Sequence, residues 1–220
     1  MLIEPVGKII TDFGSKFGVP RQAGLVPELE GRIVFEEKYR IAEAFRGLEG
    51  FSHVWLIWGF SENEREDWSP TVRPPRLGGN ARLGVFATRS PFRPNNLGLS
   101  CVELAGIDFE AEDGPVLLVR GADLMSGTPV YDVKPYIPYA DCRTEAREGF
   151  APLPAESLDV VFECDTASLP EEKIKALKSV LALDPRPHYQ CDGREYGFSF
   201  AGREVRFTVE NNTVKVLGIE

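Results

Sequence analysis

The spacing of its strand-like segments limits what this chain can become. Residues 6–11, 33–35, 52–60, 81–88, 97–107 and 115–123 are rich in β-branched, aromatic or leucine side chains and are bounded by Gly, Pro, Asn or Asp, so each reads as a short strand. A doubly wound parallel sheet needs a helix after nearly every strand, and the connections 70–79 and 108–115 are too short or too proline-rich to hold one. One helix is predicted over 38–46, where Ile41, Ala44, Phe45 and Leu48 fall at helical spacing and Gly47 and Gly50 can stop it. The fold class is mainly β, a barrel or a strongly curved mixed sheet.

Residues 141–156 are polar, acidic and proline-bearing without sustained periodicity, and read as a linker. After it the pattern changes to a strand at 158–164, a helix from Pro170 to about Leu183, and three strands at 196–200, 203–209 and 214–219. Two domains follow: a β-barrel over 1–145 and a small α+β unit over 146–220. The sequon Asn211-Asn212-Thr213 reads as a turn between the last two strands.

The longest stretch free of Asp, Glu, Lys and Arg, from Gly50 to Ser61, is well short of the roughly 18 apolar residues of a membrane span, and Glu4 and Lys8 interrupt any signal peptide. Cys101, Cys142, Cys164 and Cys191 form no close pair of the zinc or redox type, so the expected compartment is the cytoplasm and no metal is expected.

The net charge of −9 is unevenly spread. From Trp68 to Val102 there is no Asp or Glu, while Arg73, Arg76, Arg82, Arg89 and Arg93 fall in that stretch, leaving 20 basic against 34 acidic residues elsewhere. With a Debye length of about 8 Å, such a face can attract phosphates in spite of distant acids. The same arginines would otherwise pair with acids of other strands or line a dimer interface. Two proline- and glycine-rich loops, 73–82 and 88–95, flank one strand-like segment and bring guanidiniums and backbone amides together, as a pocket rim would.

His53, at a strand start with no acid or nucleophile beside it, reads as a core or supporting residue; Trp55, Trp58 and Phe60 read as a core strand, and Trp68 as exposed. There is no Walker loop, no G-x-G-x-x-G, no H-E-x-x-H, no G-x-S-x-G and no deaminase H-x-E with a cysteine pair.

The string Thr71-Val72-Arg73-Pro74-Pro75-Arg76-Leu77-Gly78-Gly79-Asn80-Ala81-Arg82, followed by Gly84-Val85-Phe86-Ala87-Thr88-Arg89-Ser90-Pro91-Phe92-Arg93-Pro94-Asn95, closely resembles the TrmO (TsaA-like, YaeB-like) family. The resemblance extends to residues 17–25, 46–55 and 127–136, and to Asp184-Pro185-Arg186-Pro187 in the second unit. It implies an S-adenosylmethionine-dependent methyltransferase with a single β-barrel in place of a Rossmann fold, working as a homodimer. The implied substrate is N6-threonylcarbamoyladenosine at position 37, in the tRNA anticodon loop. Carried over position by position, cofactor contacts are expected from Pro20, Arg21, Gln22, Phe60, Ser61, Glu62, Arg89, Leu99, Leu124, Met125, Ser126, Gly127 and Thr128, while the acid-free stretch itself makes Arg73, Arg76, Arg82 and Arg93 the expected RNA contacts. Asn96 and Leu97 stand where the family commonly has Pro-Ile, and Ser126 replaces a common acid.

A sulfonium donor with a carboxylate tail calls for an arginine or backbone amides at the carboxylate and carbonyl oxygens at its ammonium; Arg21 and Arg89 fit the first role. The N6 lone pair is delocalised into the purine and the carbamoyl group, so rate must come from in-line placement at about 3–3.5 Å and from a base for the N–H proton. Asp132 and Glu62 are the candidate bases; the same acids would otherwise pair with arginines. The alternative to an enzyme is a non-catalytic nucleic-acid or nucleotide-binding module that grips phosphates with the arginine loops.

Overall fold

The computed structural model describes residues 2–61, 67–74, 77, 80–151, 157–186 and 193–220. In the first unit the strands are β1 (Gly7–Ile10), β2 (Glu30–Phe35), β3 (His53–Gly59), β4 (Thr71–Val72), β5 (Leu83–Gly84), β6 (Leu97–Asp108), β7 (Val116–Arg120) and β8 (Pro129–Pro135). Six of them close a barrel in the order β1-β2-β7-β6-β3-β8, with every neighbour antiparallel. Alternation along each strand fills the interior: Val54, Leu56 and Trp58 point inward from β3, and Ile33 and Phe35 from β2. Ile9, Ile33, Val54, Leu56 and Leu117 are completely buried there, each contributing about 1.5–3 kcal/mol. Closure also removes exposed strand edges.

Three expectations are corrected. Residues 38–46 form no α-helix but two 3-10 turns, Glu37–Tyr39 and Ala42–Phe45. Of these only Phe45 is fully buried, with Tyr39 packed partly against the core, and Ile41 is 55% exposed, so the segment has no continuous apolar stripe to hold a longer helix. Residues 81–88 are no barrel strand: β5 pairs only with β4 in a two-stranded ribbon, and the chain then tightens into a 3-10 turn at Val85–Ala87, whose Val85 carbonyl accepts the Thr88 hydroxyl at 2.8 Å. Third, His53 is exposed, its ring against the Ser52 hydroxyl at 3.0 Å. Of the expected core aromatics, Trp58 is buried while Trp55 and Phe60 are half-buried; Trp68 is 51% exposed, as expected. The strand that closes the barrel, β8, carries prolines at both ends, where they cost few ladder bonds.

The second unit begins after a short turn, α1 (Pro138–Asp141), and contains β9 (Asp159–Phe162), α2 (Glu171–Ala182), β10 (Tyr196–Phe200), β11 (Arg203–Glu210) and β12 (Thr213–Ile219). Its sheet runs β10-β11-β12-β9, with β9 parallel to β12. Helix α2 buries Ala176, Leu177, Val180 and Leu181, and β11 buries Val205, Phe207 and Val209 on its matching face. Asn211 and Asn212 both take positive φ, 48° and 63°, in the two-residue turn between β11 and β12.

The two units are interlocked. The connection from β1 to β2 leaves the barrel and packs Phe13, Phe17, Val19, Val26 and Leu29 into the core of the C-terminal unit. Phe13 meets Phe200 edge to face at 5.5 Å, and Phe17 stacks on Phe207 at 6.4 Å. Gly18, with φ +93°, lies so close to Phe198 that a Cβ would meet its ring at 2.4 Å, so no other residue fits there.

Candidate active site

The β1–β2 connection presents Pro20, Arg21, Gln22 and Ala23 beside one end of the barrel, where it meets the 88–95 loop and the ends of β3, β6 and β7. Trp58 on β3 donates its indole N–H to Ser100 Oγ on β6 at 3.0 Å, and Ser100 Oγ donates to Asp123 Oδ1, just beyond β7, at 2.6 Å. Gly98 permits this arrangement, because a Cβ there would meet the Trp58 ring at 2.3 Å. The charge of Arg89 and the nearby Ala23 amide both favour ionised Asp123. Burial pushes its carboxyl above the ordinary aspartate range, and the bonds from Ser100, its own backbone and Ala23, with the Arg89 charge, offset only part of that rise. The Arg89 guanidinium in turn donates to Gln22 Oε1. A half-buried carboxyl, a fixed hydroxyl, a guanidinium and a carboxamide thus converge from four stretches of chain.

Gln22 and Arg89 therefore meet, with Pro20 buried beneath the loop. Arg21 lies alongside but donates to the carbonyls of Asp184 and Arg186 in the C-terminal unit. Phe60 packs on Trp58 with centroids 4.4 Å apart and exchanges bonds with Asn96, its amide to the Asn96 carbonyl at 3.2 Å and its carbonyl from Asn96 Nδ2 at 3.1 Å. Asn96 Oδ1 is buried and has no hydrogen-bond partner among the described residues. Ser61 is exposed, and Glu62 lies outside the described residues. Leu99 points outward, on the opposite side of β6 from Ser100, and is 55% exposed.

The segment from Leu124 to Thr128 is tied to β1 and its continuation. Thr11 Oγ1 donates to the Leu124 carbonyl at 2.9 Å, the Ser126 amide to the Phe13 carbonyl at 2.8 Å, the Gly127 amide to the Ile9 carbonyl at 2.8 Å, and Thr128 Oγ1 to the Met125 carbonyl at 2.7 Å. The Ser126 hydroxyl accepts the Thr11 amide at 3.4 Å. It lines a cleft of about 610 Å³ between the two units, which shares none of Gln22, Arg89, Ser100 and Asp123. The cleft's Lys173 is paired with Asp12 at 2.8 Å.

Asp132 sits on β8 opposite Ile57, half-exposed and paired with Lys134 at 2.9 Å. Arg73 and Arg82 are exposed, Arg76 lies outside the described residues, and Arg93 braces its own loop by donating to the Thr88 and Ser90 carbonyls at 2.9 and 3.4 Å. Sequence reasoning passed over Asp123, Ser100 and Asn96. The available signal was an acid set between buried Ala122 and Leu124, where an apolar residue would continue the core.

Comparison with known proteins identifies the family of the chain. The profile of the tRNA-methyltransferase O N-terminal domain matches residues 8–142, and that of the TrmO C-terminal domain residues 157–220. An Escherichia coli protein named tRNA (adenine(37)-N6)-methyltransferase is 42% identical over 229 residues, covering 99% of this chain and 97% of its own length. A Pseudomonas aeruginosa relative, named as an S-adenosylmethionine-dependent methyltransferase, is 42% identical over 205 residues, 89% of this chain and 87% of its own. The crystal structure of TrmO from Pseudomonas aeruginosa superposes with a TM-score of 0.82 at 33% identity, covering 100% of this chain and 98% of that one. With both domains matched in order and the barrel reproduced over the whole length, the chain belongs to the TrmO family of S-adenosylmethionine-dependent tRNA methyltransferases.

Proposed function

We propose that this enzyme methylates N6 of threonylcarbamoyladenosine at position 37 of tRNA, giving the N6-methyl product, and that Asp123 accepts the displaced proton. The observation that carries this reading is the Trp58–Ser100–Asp123 chain beside Arg89 and Gln22. The position and atom come from the name of the Escherichia coli relative, and the threonylcarbamoyl group from the sequence resemblance.

The residues present suit the cofactor. Arg89 offers a guanidinium for a carboxylate, and the orphaned Asn96 Oδ1 beside Phe60 is an acceptor awaiting an N–H donor. Bound S-adenosylmethionine supplies a methyl group on a sulfonium centre. Arg89 and Gln22 hold and orient, while the packed Trp58 and Phe60 rings give the site an apolar wall. Asp123 would take the proton that N6 gives up when it is methylated. A carboxylate raised by burial is a stronger base than an ordinary one. Ser100, fixed by Trp58, keeps that carboxylate aimed.

Exposed Arg73 and Arg82 suit the phosphates of an anticodon loop. The outward faces of β3 and β6, with Ile57 opposite Leu99, together with Phe86, 74% exposed, suit a homodimer contact. Light scattering should then give about twice the 24.5 kDa chain mass; a 24.5 kDa particle at micromolar concentration would refute the dimer. A cytoplasmic setting fits an enzyme of tRNA. The test of function is mass spectrometry of nucleosides from tRNA incubated with protein and labelled cofactor. Label in N6-methyl-threonylcarbamoyladenosine supports the reading; label in unmodified adenosine changes the substrate, and no transfer with no cofactor binding leaves a non-catalytic RNA-binding module.

A further inference from the structure

The C-terminal unit reaches the loop beside the proposed site at one turn, and hydrogen bonds run on from there to Gln22 and Arg89. Asp184 takes a left-handed conformation, φ +50°, just after α2. Its carboxylate grips Arg186 in a fork, Nε to Oδ1 at 2.8 Å and Nη2 to Oδ2 at 2.9 Å, and Oδ1 also accepts the Arg186 amide at 3.2 Å. Burial alone would raise the Asp184 carboxyl; the bonds and charge of Arg186, with the charge of Arg21, outweigh it and hold it below the ordinary range. The closed turn aims two carbonyls, of Asp184 and Arg186, at one Arg21 nitrogen, at 3.5 and 3.4 Å. The Arg21 carbonyl accepts Gln22 Nε2, and Gln22 Oε1 accepts Arg89. Arg89 in turn lends the charge that favours ionised Asp123.

We infer that the Asp184–Arg186 turn is a positioning element of the active site, which fixes Arg21 and through it sets the orientation of Gln22, Arg89 and the Ala23 amide. Its role in cofactor binding rests on the function proposed above; the mechanical linkage does not. The C-terminal unit is on this account a scaffold for the cofactor loop, consistent with Phe13, Phe17 and Val19 lying in its core, and not a separate grip on RNA.

The test uses the full chain with Arg186→Ala, which removes the fork, and Arg186→Lys, which restores one charged donor without the bidentate geometry. Exchange of the Gln22 and Ala23 amides, followed without ligand, should quicken at least tenfold in Arg186→Ala and partly recover in Arg186→Lys. Cofactor affinity by calorimetry should weaken about five- to twentyfold and tRNA affinity stay within twofold. Combining Arg186→Ala with Gln22→Ala should add little to the loss from Gln22→Ala alone, because both break one chain. If Arg186→Ala does not fold, Asp184→Asn, which keeps a residue tolerant of the left-handed turn, should show the same pattern at smaller amplitude. Unchanged exchange at Gln22 and Ala23 in a folded variant overturns the inference, as does full additivity with Gln22→Ala or a loss confined to tRNA affinity. Quickened exchange in a protein whose wild type binds no cofactor leaves the linkage standing and refutes the proposed function.

Discussion

Replacing Ser100 by alanine separates the structural from the chemical work of one hydroxyl. Ser100 is 3% exposed; it accepts the Trp58 indole N–H at 3.0 Å and donates to Asp123 at 2.6 Å. A hydrogen bond to a charged group contributes about 1.5–3 kcal/mol, and a buried N–H left unpaired costs about 1–3 kcal/mol. Because one hydroxyl serves both, these do not simply add, and a loss of about 2–4 kcal/mol is expected, or roughly 5–15 °C in Tm for a chain of this size. The sign of the pH effect follows from the carboxyl. The Ser100 bond favours ionised Asp123 and pulls down a pKa that burial has raised, so its loss moves that pKa further up. The stabilisation by this bond is present where Asp123 is ionised and is lost as pH falls through its folded pKa. The Tm deficit of Ser100→Ala should therefore shrink on acidification, while the acidic limb of kcat moves to higher pH. Melting curves and methyl-transfer rates across pH check both. A deficit independent of pH, with an unmoved acidic limb in a folded variant, would refute the coupling of Ser100 to Asp123.

Arg89→Ala should weaken cofactor binding by about 1.5–3 kcal/mol, roughly ten- to a hundredfold by calorimetry. Gly18→Ala, forced into positive φ against the Phe198 ring, should destabilise by more than about 1–2 kcal/mol in chemical denaturation and lower cofactor affinity with it, since Gly18 anchors the Pro20–Gln22 loop on the second core. Converting exposed Arg73 and Arg82 to Gln should flatten the slope of log tRNA affinity against log salt by about 1.4–1.8 for two phosphate contacts, leaving cofactor affinity unchanged; equal slopes would assign these arginines another role.

The strands with strong alternation were legible in the sequence, and 196–200 coincides with β10 from end to end, because hairpins with one buried face announce themselves by local pattern. What was not legible depended on partners distant in sequence. Residues 81–88 have strand composition, but the barrel closes through β8 instead, whose Pro129 and Pro135 hide it. The apolar residues Phe13, Phe17, Val26 and Leu29 gave no sign that their core is made by residues from Leu158 onward. Gln22 and Arg89 were recoverable by resemblance to a family. Asp123 was not, since its environment is assembled from residues 23, 58, 89 and 100, and no local motif encodes that meeting.

The account stands or falls on Asp123 as the proton acceptor, and single-turnover methyl transfer to tRNA by Asp123→Asn, with cofactor saturating, tests it most directly. Ionised Asp123 is disfavoured by burial, so between the ordinary aspartate pKa and its raised folded value it costs stability as pH rises, and the neutral amide should fold at least as stably at neutral pH. The predicted result is a folded variant that binds cofactor within a few-fold of wild type and transfers methyl about 10²–10⁴ times more slowly, without the acidic limb of the wild-type pH profile. A variant that transfers methyl at the wild-type rate, or keeps that limb, would contradict it.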